Sequence, residues 1–277
     1  MLTGLADITL TEEKGKSMIK KTAIAGLVAA AFAPGLGLAA DAEPTPEHTL
    51  TGNVGFFSQY IFRGLTQTNR DPALQGGFDY AHKSGFYLGA WASNVKWVKD
   101  FNGATKGSYE LDLYGGYKGS INDDFSYDLG LITYRYPGNN SGEAGTPGAG
   151  FFSHADTNEW YVAGTYKMAT LKYNRTMGNL LGNLNSGGSS YWDLSAGFDV
   201  GNGFTITPHI GHQTVRNLSV ASYTDYSLTA TKDFGNGFSA SAAFVGSNAR
   251  KAFYTDINGK FIGNDTVVVG VKYTYSF

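Results

Sequence analysis

The chain has 277 residues, with 21 Lys and Arg against 23 Asp and Glu, no Cys, 38 Gly, 18 Tyr and 18 Phe. A near-neutral balance without a basic run excludes a nucleic-acid-binding surface, and the absence of cysteine suits export through an oxidising compartment. High glycine and aromatic content at a mean hydropathy of −0.21 argues against a bundle of membrane helices. It fits strands that alternate between lipid and water.

Residues 1–17 lean acidic and stand in front of an export signal, so Met18 is the expected start of the natural chain. Residues 18–40 read as that signal: Lys20 and Lys21 precede the apolar run Ala23–Phe32, and small residues follow. Cleavage is expected within 39–42, after Ala39 or after Ala42. Pro34, Gly35 and Gly37 break the segment, which is too short for a permanent transmembrane helix. Residues 41–277 then form one domain.

Period-2 alternation divides this domain into twelve strands, at 49–62, 73–82, 85–97, 108–119, 125–136, 158–168, 170–178, 190–200, 204–215, 223–234, 238–256 and 260–277. Tight connections follow the even-numbered strands, including Gly201-Asn202-Gly203 and Gly235-Asn236-Gly237. Longer ones follow the odd-numbered strands, with Asn258-Gly259 as the tip of a hairpin whose strands extend beyond the rest. An even strand count with short and long connections in rotation predicts an all-β, transmembrane antiparallel up-and-down barrel. Its short turns and both termini are expected on the periplasmic side of a Gram-negative outer membrane.

Four strands leaving a tight turn open with Phe86, Phe125, Phe204 and Phe238, and a fifth with Leu171. With Phe277 they define one aromatic girdle, and Trp97, Trp160, Trp192, Tyr109 and Tyr223 define a second at the long-loop ends. Arg175 and Lys232 fall on nominal lipid faces, tolerable only near an interface. The last strand carries Val267, Val269, Val271, Tyr273, Tyr275 and Phe277 on one face. The terminal Tyr273, Tyr275 and Phe277 form the pattern of an assembly signal for outer-membrane barrels, whereas a soluble edge strand rarely stays apolar to its last residue.

No catalytic constellation emerges. His209 and His212 point to opposite faces of a strand, which removes them as a metal pair. His154 with Asp156 lies in a long loop without a nucleophile, the Gly145–Gly150 run lacks the strand, helix and Lys of a phosphate loop, and 256–259 lacks calcium-loop spacing. Neither metal nor cofactor is expected. Parity instead places a set of charges in the barrel interior, with Arg63, Glu110, Asp112, Asp128, Asp193, Asp225 and Lys272 as the candidate pore-lining residues. Gln59, Asp79, Lys118, Lys172 and Asp199 share that face. Buried charges need water or partners, so the interior is either a water-filled pore or a plug of ion pairs, and the many small inward residues favour the pore. Twelve strands about 4.8 Å apart and tilted about 40° give a backbone radius of about 12 Å and an opening of about 10 Å before any loop folds inward.

The stretches SQYIFRGLTQTNRDPALQGGFDY, SGFYLGAWASNVKW and YELDLYGGYKG, together with the layout that follows them, resemble the TorF family of proteobacterial porins. The matching positions include Ser58, Tyr60, Phe62-Arg63-Gly64, Gln67, Pro72–Gly76, Trp91–Asn94 and Glu110–Asp112. The resemblance implies an outer-membrane barrel with a porin role and no catalytic residues. The leading expectation is a passive channel for small solutes. The alternative is a closed barrel acting through its surface loops as an adhesin or structural protein. Expected partners are outer-membrane lipid, the secretion translocon and barrel-assembly machinery during biogenesis, and the solutes themselves.

Overall fold

The computed structural model describes residues 46–277, so the expected extension over 1–17 and the export signal over 18–40 lie outside the described residues. Twelve strands form the wall: β1 (His48–Phe57), β2 (Ala73–His82), β3 (Phe86–Asn94), β4 (Tyr109–Ser120), β5 (Phe125–Arg135), β6 (Thr157–Tyr166), β7 (Ala169–Thr176), β8 (Ser190–Ala196, continued as Phe198–Gly201), β9 (Phe204–Thr214), β10 (Tyr223–Gly235), β11 (Phe238–Ser247) and β12 (Thr266–Ser276). Each pairs antiparallel with its sequence neighbours. The last pairs back onto the first, from Thr51↔Ser276 to Phe57↔Gly270. Closure leaves no unpaired edge, which is how a sheet satisfies its backbone in lipid.

Alternation sets the two faces. On β4, Tyr109, Leu113 and Tyr117 are exposed while Glu110, Asp112 and Tyr114 are buried. On β8, Trp192 and Leu194 face out and Asp193 faces in. Strand β3, apolar on both faces in sequence, is resolved by its neighbours: Tyr87, Trp91 and Ser93 turn inward, whereas Phe86 and Leu88 turn outward. The outside is an apolar belt with an aromatic ring at the short-turn end, formed by Phe86, Phe125, Phe204, Phe238 and Phe277. At the opposite end Tyr173 meets Trp160 edge-on and Trp192 at a tilt. Trp97 and Tyr223 depart from the second girdle: both are 5% exposed and pack inside, Trp97 edge-on to Tyr136 and Tyr223 edge-on to Tyr254.

The two Gly-Asn-Gly turns close their hairpins in the same way. Asn202-Gly203 and Asn236-Gly237 all have positive φ, the type I′ geometry that matches strand twist. Each follows a bulge in which Asp199 or Asp233 accepts the backbone N–H of Gly201 or Gly235. Lys232 reaches the Asn202 carbonyl and lies over Phe204, and Arg175 is exposed at the long-loop end of β7. Both basic residues therefore sit at interfaces.

Three expected spans, those of the first, eleventh and twelfth strands, overrun the observed strand at one end by five residues or more. The first strand stops at Phe57 rather than 62, because the chain leaves the wall at Ser58 and turns inward. The hairpin at Asn258-Gly259 exists, with Thr255 bridged to Phe261. However, β11 ends at Ser247 and β12 begins at Thr266, and the 248–265 segment folds over the long-loop mouth instead of extending the wall. Tyr254, Ala249 and Ile262 pack there with Leu65, Leu180, Val215, Ala221 and Tyr223. The Tyr254 hydroxyl donates to the Ala221 carbonyl at 2.5 Å, and its burial pushes that phenol up.

Candidate functional site

The interior is organised by a short hairpin inserted from the β1–β2 connection. Ile61 pairs with Thr66 and Phe62 with Leu65, and the turn between them is Arg63-Gly64, with φ of 46° and 76°. Gly64 is required twice. Its backbone is left-handed, and a Cβ there would meet the Asp225 Cβ at 2.5 Å. The hairpin is tied to the neighbouring loops: Thr66 donates its N–H to the Ile262 carbonyl, and the Gln67 carbonyl accepts from Lys96 and Trp97. In the β3–β4 loop, the hydrogen bond to Asp71 holds the Lys96 ammonium above the usual lysine range.

Parity placed Arg63 on the end of the first strand. Its actual position, at the tip of the inserted hairpin, carries the guanidinium across the lumen. Nη2 meets Glu159 Oε2 at 2.7 Å, and Nη1 meets Glu159 Oε1 at 3.1 Å and Gln213 Oε1 at 2.8 Å. The guanidinium also lies 4.3 Å from the Tyr191 ring centroid and 4.8 Å from that of Phe62. The planar fork meets one carboxylate with two parallel bonds, a geometry that lysine cannot reproduce. All four partners are buried or half-buried.

Glu110 and Asp112 face the same interior level but do not pair with Arg63. Tyr60 donates its hydroxyl to Glu110 Oε1 at 3.2 Å. Both Asp112 oxygens are buried without a hydrogen-bond partner among the described residues. Asp193 and Asp225 flank His209, whose ring nitrogens lie 3.4 Å and 3.7 Å from them, and Tyr191 donates to both Asp225 oxygens at 3.1 Å. Gln59 donates to Thr266 Oγ1 at 2.8 Å.

The short-turn half of the interior is looser. Asp79, Lys118, Asp128, Lys172 and Lys272 are half-buried there, among Ser, Thr, Ala and Gly. Tyr87 donates to Asp128 at 2.6 Å and touches the Tyr161 hydroxyl, Tyr114 donates to Asp79, and the Lys172 ammonium lies 3.9 Å from the Tyr161 ring centroid. Asp199, expected on the inward face, is exposed on the continuation of β8, where the strand runs out of the wall beside the β8–β9 turn. The expected free opening is thus divided: the long-loop half is filled by the hairpin and its clamp, and the short-turn half carries the accessible charges. Glu159, Gln213 and Tyr191 are site residues beyond the expected set. Each has inward parity on its own strand, and Glu159 stands out as an acid beside the outward Trp160.

Among solved structures, the KdgM porin is similar, with a TM-score of 0.50 at 9% identity, over 82% of this chain and 99% of that one. The KdgM porin in complex with disordered oligogalacturonate gives the same TM-score at 8% identity and the same coverage. The NanC porin follows with a TM-score of 0.48 at 9% identity, over 81% of this chain and 98% of that one. At these identities the likeness to KdgM shows a shared fold, a closed antiparallel β-barrel, with nearly the whole of that chain spanned. No curated protein matches the chain in sequence. Residues 41–275 match the model of a bacterial protein family of unknown function, Gcw_chp, and the chain belongs to that family.

Proposed function

We propose that this chain is an outer-membrane channel for the passive diffusion of small solutes, as its TorF-like stretches also suggest, with both termini on the periplasmic side. The observation that carries this reading is the closed twelve-strand wall, apolar outside and charged inside. The half-buried Asp79, Lys118, Asp128, Lys172 and Lys272 of the short-turn half need water around them, which a lumen open at that end supplies. Interior acids (Asp79, Glu110, Asp112, Asp128, Glu159, Asp193, Asp225) outnumber interior bases (Arg63, Lys118, Lys172, Lys272), which favours neutral or cationic solutes over anionic ones. The oligogalacturonate seen with KdgM is therefore not the solute proposed for this chain.

The inserted hairpin sets the constriction. Purified barrel in planar bilayers should show small, stepwise, cation-preferring conductance, and a variant lacking 61–66 should show larger steps. One observation favours the second reading, a closed barrel acting through its loops: the long-loop half is packed around the Arg63 clamp. A folded but silent barrel, both intact and without the hairpin, would establish that reading in place of the channel.

A further inference from the structure

The register of the first two strands brings together a group that lies far from the lumen. His48 and His82 are direct partners at the short-turn end of the β1–β2 pair, with ring centroids 5.2 Å apart. Both have the outward parity of Leu50 and Tyr80. Glu47, one residue before the strand, turns back so that its Oε1 lies 3.5 Å from His82 Nε2. One ligand atom from each of the three lies within 4.8 Å of the others. Ligands on a tetrahedral metal at about 2.1 Å stand about 3.4 Å apart, so the His82–Glu47 separation already fits and the third position needs only a small rotation.

The surroundings of the two imidazoles are organised as well. His48 Nδ1 is 2.8 Å from the Tyr80 hydroxyl, and His82 Nδ1 is 2.6 Å from Ser84 Oγ. Each ring is thus held by its inner nitrogen, which fixes orientation and leaves Nε2 available, the arrangement that supports histidine ligands elsewhere. Metal on His82 Nε2 places the proton on Nδ1, so the donation goes to Ser84 Oγ. The Ser84 N–H, now 3.2 Å from that nitrogen, gives up its bond. Lys83 Nζ, 3.4 Å from Glu47 Oε1, is an exposed ammonium that the metal would displace.

We propose that Glu47, His48 and His82 form a binding site for a divalent transition-metal ion, Zn2+ foremost, at the short-turn rim of the barrel. Two imidazoles and one carboxylate are a borderline donor set, suited to Zn2+, Cu2+ or Ni2+ rather than Ca2+ or Mg2+. The fourth position is open to water. The last β12 residue paired with β1 is Ser276, opposite Thr51, so His48 lies on a strand end that has β2 as its one neighbour. A metal there clips that end to β2. The site stands whether or not the lumen conducts.

The test uses the untagged, folded barrel in detergent, titrated with Co2+ and read by its visible absorption, followed by Zn2+ competition. One Co2+ per barrel is expected, displaced by Zn2+. Loss of either ligand in His48→Asn or His82→Asn should weaken binding by at least about tenfold, whereas His212→Asn should leave it unchanged. Zn2+ should raise the melting temperature of the parent and not of the His48→Asn/His82→Asn double variant. Absence of a saturable cobalt band in the folded parent, or equal binding by the double variant, would overturn the proposal.

Discussion

At the residue scale the decisive side chain is Arg63. Its charge is taken from water and returned to Glu159, Gln213 and two aromatic rings. Removing one member of such a buried pair leaves the other uncompensated, at a cost of about 3–5 kcal/mol. Arg63→Gln should therefore lower the melting temperature of the folded barrel in detergent, and Arg63→Lys should restore only part of the loss, since an ammonium cannot make the two parallel bonds. In bilayers, Arg63→Gln should shift reversal potentials under a salt gradient toward cations. Asp112→Asn should move them the opposite way without lowering stability, because the Asp112 oxygens have no hydrogen-bond partner to lose. Unchanged potentials in both variants, with folded barrel recovered, would remove these residues from the conduction path.

Among elements, β12 combines the seam of the barrel with the proposed assembly signal. Tyr273 stacks on Tyr275, Tyr275 meets Phe277 edge-on, and Phe277 also stacks on Phe78 of β2. The Phe277 N–H donates to the Leu50 carbonyl at 3.0 Å. Deleting Phe277, or Phe277→Asp, should leave the chain in the periplasm for degradation. Cell fractionation showing normal outer-membrane yield would contradict the role given to this terminus.

The wall strands were legible because a period of 2 flips every residue to a definite face, and because glycine and asparagine mark the turns. The inserted hairpin was not. Tyr60 and Phe62 prolong the outward parity of Leu50, Val54 and Phe56, so periodicity cannot tell a longer strand from one that turns inward. The only local sign was Arg63-Gly64, a pair suited to positive φ. In the same way, Trp97 and Tyr223 sit where a girdle belongs in sequence, yet loops folded over the mouth give them an apolar interior to fill. The Glu47–His48–His82 group was hidden for another reason: His48 and His82 meet through register, which no spacing rule encodes.

For the whole molecule, the rotation of short and long connections fixes an orientation. An epitope tag within 144–150, in the β5–β6 loop, should be reached by antibody on intact cells. A tag at 201–203 should be reached only after the outer membrane is permeabilised. Exchange of the two results would invert the barrel.

The hairpin also bears on how a closed cylinder finds its correct pairing. A slip of two residues between β1 and β12 keeps every side chain on its proper face, so hydrophobicity alone does not forbid it. It would move the root of the hairpin about 7 Å along β12. That shift breaks the bonds that straddle the seam, from Ser58 to the Val269 carbonyl and from Gln59 to Thr266. It also draws Arg63 away from Glu159 and Gln213 on the far wall. The clamp can form only when the first and last strands have met in one alignment, so it acts as a gauge that reads the circumference and rejects the near-miss cylinder.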